Sequence, residues 1–173
     1  MGTTEATNLI AIVALVASFV SAVGVATLTV WLTARNSRTE LRRQRTKDLL
    51  ENFYGPLSAI LIENSVLYEG FGPKRFLGRS PEVAFALGEA WTSIKESVVL
   101  PNLQEVKRLI QRYWVPSGAK TKKYLAALML HCTAFCEYDK APNELYKNYK
   151  YDPDWLKSIE QEISRLRAEV GDE

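Results

Sequence analysis

Histidine, cysteine and methionine are scarce: the 173 residues contain one, two and two of them. A single histidine, His131, excludes any multi-histidine metal centre, and two cysteines exclude a disulfide-dense scaffold. Cys132 and Cys136 lie four apart in a helical context, on one face at about 6 Å, which is too constrained for an easy disulfide; they are expected to be buried thiols in a reducing compartment. His131 is rotated by about 100° from Cys132, so one helix offers zinc at most three ligands and offers no aligned Cys/His nucleophilic pair. No cofactor, metal site or catalytic residue is expected.

Strand-type alternation is missing as well, and no internal repeat aligns, which leaves an all-α chain. The largest absence is of charge: Leu9–Leu32 has no Asp, Glu, Lys, Arg or His. As a helix this run would be roughly 36 Å long, against a hydrocarbon core of ~30 Å. A cleaved signal would place bases before the run, whereas MGTTEATN has none and the bases follow it. The expectation is a transmembrane helix over 9–32, with an extracytoplasmic N-terminus over 1–8, a basic juxtamembrane stalk over 33–48 and a cytosolic α-helical domain over 49–173. The positive-inside rule then sets the orientation N-out, C-in, in a bacterial inner membrane, with Trp31 at the inner interface. Small side chains recur every fourth residue at Ala14, Ser18, Ala22 and Ala26, a ladder that lets helix backbones approach and points to a homo-oligomer packed through the span.

What is present begins with bases. Arg35, Arg38, Arg42, Arg43, Arg45 and Lys47 face only Glu40 and Asp48 in their segment, so about +4 is concentrated there, while the whole chain carries only +2. They set the topology, and lipid-headgroup contact would add roughly 1 kcal/mol per base. The remainder is near neutral, so no specific nucleic-acid partner is expected. Ser37-Arg38-Thr39-Glu40 fits a capping box that would restart a helix after Asn36; the alternative is one helix running on to Tyr54.

Gly55-Pro56 is expected to break or kink the chain. Five or six helices should form the bundle. An apolar stripe of Leu57, Ile60, Leu61 and Leu67 follows, with Asn64 beside it as a boundary side chain or, less simply, a ligand contact. GFGPKRFLGRSP reads as a connector; its alternative is an anion cradle with Lys74, Arg75 and Arg79, although it matches neither a P-loop nor a dinucleotide fingerprint. Ser80-Pro81-Glu82 starts a helix with Val83, Leu87, Ala90, Trp91, Ile94 and Val98 inward. Pro101-Asn102 restarts another, with Leu103, Val106, Leu109, Ile110, Tyr113 and Trp114 inward, up to a turn over 115–118. Tyr124 to Cys136 is the most hydrophobic stretch of the body and its central helix; the tyrosine-rich APNELYKNYKYDPDW then leads into a last helix capped at Asp152-Pro153, with Trp155, Ile159, Ile163, Leu166 and Val170 inward.

Lys107, Arg108 and Arg112 before the 115–118 turn, and Lys120, Lys122 and Lys123 after it, are the candidate contacts for an anionic ligand, a nucleotide or a phosphorylated partner. With no catalytic constellation, the expected function is a membrane-anchored interaction or sensor module that self-associates and docks a cytosolic protein or anionic ligand. The alternatives are a membrane-perturbing effector triggered through its cytosolic domain, and an all-α enzyme without a recognisable motif.

Overall fold

The computed structural model describes the backbone of residues 3–114 and 119–171, and side chains from Ser18 onward apart from those of Val20, Ala22, Ala119, Lys120 and Lys147. Six α-helices are found among the described residues: α1 (Thr3–Leu49), α2 (Gly55–Phe71), α3 (Pro81–Ile94), α4 (Leu100–Tyr113), α5 (Ala119–Lys140) and α6 (Asp154–Val170). No strand is present among them.

Leu50–Tyr54 joins α1 to α2, and Lys95–Val99 joins α3 to α4, each as a single π-helical turn. Both turns sit immediately before a residue that precedes proline: Gly55-Pro56 in one case, Leu100-Pro101 in the other. A proline has no N–H to donate and its ring crowds the carbonyl four residues back, which ordinarily breaks a helix. Widening the turn instead accommodates the ring, with Gly55 N–H bonded to Leu50 O and Leu100 N–H to Lys95 O, five residues back. The break expected at Gly55-Pro56 and the fresh start expected at Pro101 are therefore corrected. Counted as continuous rods, the elements number four among the described residues. The restart expected at the Ser37 capping box is absent too, since α1 runs helical through Asn36 and Ser37.

The chain divides into two compact units, Met1–Arg45 and Thr46–Glu173. The first unit consists of α1 up to Arg45. Thr27 Oγ1 donates to Val23 O and Gly24 O, and Thr29 Oγ1 to Val25 O, so these hydroxyls close on their own preceding turn. The transmembrane helix expected over 9–32 is overturned: among the described residues no helix is long and apolar enough to cross a membrane. After Leu32 the same helix carries Arg35, Arg38, Arg42, Arg43 and Arg45. The N-out, C-in topology, the bacterial inner-membrane location and the cytosolic placement of the C-terminal domain rested on that helix and are withdrawn with it.

The second unit holds the core. Phe53 and Tyr54 from the first π turn, Leu57 and Leu61 from α2, Val106 and Ile110 from α4, Leu125, Leu128 and Cys132 from α5, and Trp155 and Ile159 from α6 form one buried cluster. Helix α4 packs along α5, and α2 packs against α4 and α6, so α2, α4, α5 and α6 form the bundle while α3 lies against α2. The stripes expected on α4 and α6 are the buried ones, since their spacing matches the 3.6-residue period. The stripe expected on α3 is only half right: Trp91 is buried but Val83 is exposed. At the start of α6, the Asp152 carboxylate accepts from Asp154 N–H at 3.0 Å, the cap expected there.

Candidate functional site

The polar residues between α2 and α4 fix the orientation of one amide. The Glu63 carboxylate can only accept hydrogen bonds, so Asn102 must turn its amino group toward it, and Asn102 Nδ2 donates to Glu63 Oε2 at 2.9 Å. The second proton of that amino group goes to Asn64 Oδ1, also at 2.9 Å. Asn64 must then direct its own Nδ2 away from Asn102. That nitrogen is buried and has no hydrogen-bond partner.

Asn64 lines a cavity of about 1060 Å³ within the second unit. Helix α2 supplies Leu61, Asn64, Ser65, Tyr68 and Glu69; Trp91 comes from α3, Leu103 from α4, and Leu128, His131, Phe135 and Tyr138 from α5. Two irregular segments close the rim. Pro73–Arg75, a single 3₁₀ turn after α2, contributes Lys74 and Arg75, and the chain from 146 to 153 contributes Tyr146, Tyr149, Lys150 and Tyr151. The first segment turns sharply because Gly72, buried against Tyr68, has no room for a Cβ: one would lie 2.3 Å from Tyr68 O. Arg75 Nε donates to Glu69 O at the end of α2, which anchors the guanidinium and leaves its other N–H groups for a ligand.

His131 sits on the α5 wall. Its Nδ1 is 2.7 Å from Tyr149 O, and a carbonyl can only accept, so Nδ1 carries the proton and Nε2 is left with a lone pair. Rings surround it: Trp155 at 5.5 Å, Tyr151 at 5.8 Å and Phe135 at 6.1 Å between centroids. Burial pushes its pKa below the ordinary histidine value, and the Tyr149 carbonyl only partly opposes this. The imidazole is thus held neutral. Tyr151 OH is the second buried polar atom without a partner among the described side chains, and Tyr151 too lines this cavity. Burial foremost, with Asp152 and Glu160 nearby, raises its pKa, so it stays a hydroxyl able to donate and accept.

The site therefore combines aromatic walls, two unpaired polar atoms, one imidazole lone pair, and three cations (Lys74, Arg75, Lys150) against one carboxylate, Glu69. Among the described residues no three His, Cys, Asp or Glu side chains converge as metal ligands. Cys132, one residue from His131, faces the core; its thiol is pushed up to about 12, by burial first and by Cys136 second. Cys132 and Cys136 are both free.

The bases expected to contact an anion lie elsewhere. Arg108 is held by the Glu105 carboxylate through Nε at 2.6 Å and Nη2 at 2.5 Å. Arg112 lies 5.5 Å from the Tyr113 ring centroid, and Lys122 Nζ 5.9 Å from that of Trp114. Lys107 is half-buried on α4 and Lys123 exposed on α5, while the Lys120 side chain and the 115–118 turn are outside the described residues. None of the five described bases lines the cavity. On α1, Arg35, Arg38, Arg42, Arg43, Arg45 and Lys47 are exposed, with Arg35 over the Trp31 ring at 5.5 Å. Ser18 and Ala26 are exposed as well, and the side chains of Ala14 and Ala22 are outside the described residues.

Sequence reasoning touched the true rim only through its alternative reading of Lys74 and Arg75, and the wall through Asn64. It gave Tyr149, Lys150 and Tyr151 no role, although three tyrosines and a tryptophan within a polar stretch of 15 residues were the available signal. Comparison with protein-family models, curated proteins and solved structures finds no match for this chain.

Proposed function

We propose that residues 46–173 form a ligand-binding sensor module and that the cavity between α2, α5 and the 146–153 segment is its binding site. One observation carries this reading. Asn64 and Tyr151, whose amide nitrogen and hydroxyl are the two buried polar atoms without partners among the described side chains, come from opposite ends of the domain sequence and line the same cavity. Leaving such a group unpaired costs about 1–3 kcal/mol, a cost that a ligand removes once the side chain turns toward it. Apolar walls with a few convergent polar groups are the usual make-up of a small-molecule site. Exposed Tyr68, Tyr138 and Tyr149 on the same cavity give a ligand further surface to cover.

The test is a thermal-shift screen of the full chain against a chemically diverse small-molecule library. Compounds should be found that raise the unfolding midpoint, and Asn64→Leu together with Tyr151→Phe should abolish the shift. A library that stabilises nothing, or hits indifferent to both substitutions, would reject the site.

Self-association is a second reading, favoured by the first unit. Phe19, Leu28 and Trp31 on α1 are each more than half exposed. The partner for an uncharged helix surface must itself be uncharged, and the 9–32 run of a second copy satisfies that requirement. Chemical crosslinking of the full chain should give dimers or higher species whose yield falls with Ser18→Leu and Ala26→Leu; an unchanged ladder rules this interface out.

A further inference from the structure

The three parts of the cavity select one chemical class of ligand. Rings make up much of its lining: Tyr68 and Trp91 meet edge-on at 5.7 Å, and His131 lies 6.1 Å from Phe135 and 5.8 Å from Tyr151 between centroids. An aromatic lining favours an aromatic guest over a flexible chain or a sugar alone. The polar groups of the lining are of mixed type. Asn64 Nδ2 donates, His131 Nε2 accepts and Tyr151 OH does either, which suits a heterocycle whose edge alternates acceptors and donors. A purely hydrocarbon ligand would leave all three unpaired. The rim adds charge: Lys74, Arg75 and Lys150 outnumber Glu69, so the entrance favours an anion. About 1060 Å³ lies at the upper end of the roughly 300–1,000 Å³ typical of small-molecule sites, enough for a ring system and a charged tail together.

We infer that the cavity takes a nucleotide, its base among the aromatic side chains of the lining with its edge toward Asn64 and His131, and its phosphate at Lys74, Arg75 and Lys150. This rests on the ligand-binding reading above and narrows it to a class. A base alone leaves the rim cations unused, and inorganic phosphate alone leaves the aromatic walls and the buried amide unused. The smaller cavity between α5 and α6, about 250 Å³, does not compete, because the one cation among its described lining residues, Arg165, is already bound to Glu162 and Glu169.

The experiment is isothermal titration of the full chain with AMP, GMP, CMP and UMP, their nucleosides, and inorganic phosphate. At least one nucleotide should bind roughly tenfold or more tightly than its own nucleoside, and inorganic phosphate should bind far more weakly. Lys74 and Lys150 are exposed, so Lys74→Ala and Lys150→Ala leave the core untouched; together they should bring the nucleotide down to the affinity of the nucleoside. Asn64→Leu should weaken nucleotide and nucleoside alike. If no nucleotide binds while the library screen yields compounds sensitive to Asn64→Leu, the cavity is a ligand site for another class and this inference fails alone. Nucleotide binding that ignores all three substitutions places the ligand elsewhere on the molecule and equally overturns it, as does phosphate binding as tightly as any nucleotide.

Discussion

His131 takes its role from the fold, which sets Tyr149 O as the acceptor for its Nδ1–H and encloses the ring in aromatic neighbours, so that the neutral form is the stable one. Its folded pKa lies below the unfolded value of roughly 6.5, so between the two the unfolded chain binds more protons and stability rises with pH. The contribution is fully present above about 6.5 and is lost as pH falls toward the folded pKa. Urea unfolding at pH 7.5 and 5.5 should show a loss of midpoint on acidification that His131→Gln reduces; an equal loss in both proteins would acquit the histidine. Glu105 and Glu137, whose pKa values are lowered by Arg108 and Lys140, are half-buried and act in a lower pH range. Cys132 gives a second check at this scale. Fully buried, with its thiol pushed up to about 12, it should remain unalkylated by iodoacetamide in the native chain at pH 8 and react after unfolding, as read by mass spectrometry.

At the scale of elements, proline and glycine punctuation was overread. Gly55-Pro56 has the composition of a helix terminator, but the packing of Phe53, Tyr54, Leu57 and Leu61 into one core rewards a continuous rod. A single π turn costs less than exposing those side chains, so the helix widens and continues. The glycine is then required for a reason the sequence does not state: a Cβ at position 55 would lie 2.9 Å from Leu50 O, which is backbone and cannot swing aside. Gly55→Ala gains about 1 kcal/mol in helix propensity. The clash should outweigh this, giving a net loss of roughly 1–3 kcal/mol in urea unfolding. A stabilised variant would show that the π turn gives way cheaply. The stripes on α4 and α6 were legible because a regular period with few competing residues admits one burial pattern. Helix α3 was not, since Ala, Val, Phe and Leu occur all round it and only its neighbours decide which side is covered.

Across the whole molecule, the described core cluster runs from Phe53 to Leu166 and lies within the second unit. That unit should fold without the first. A fragment of residues 46–173 should unfold cooperatively with a midpoint within about 2 °C of the same transition in the full chain, because small changes away from a core shift stability little. A fragment lacking near-UV circular dichroism would show that the division is one of geometry and not of stability.

The sequence by itself determined the helical class, the charge-free run over 9–32, the basic segment after it, and most of the side chains that fill the core. These depend on composition and on periods of a few residues, which a linear string displays directly. It did not determine what the charge-free run does, for an absence of charge is not by itself a membrane span, and among the described residues no helix is long and apolar enough to cross a membrane. Only the tertiary structure decided the site. Asn64, His131 and Tyr151 lie up to 87 residues apart in the chain, and their meeting depends on how α2 and α5 pack and where the segment after Tyr146 returns. No local pattern records that return, because a cavity is made by side chains that fail to meet one another.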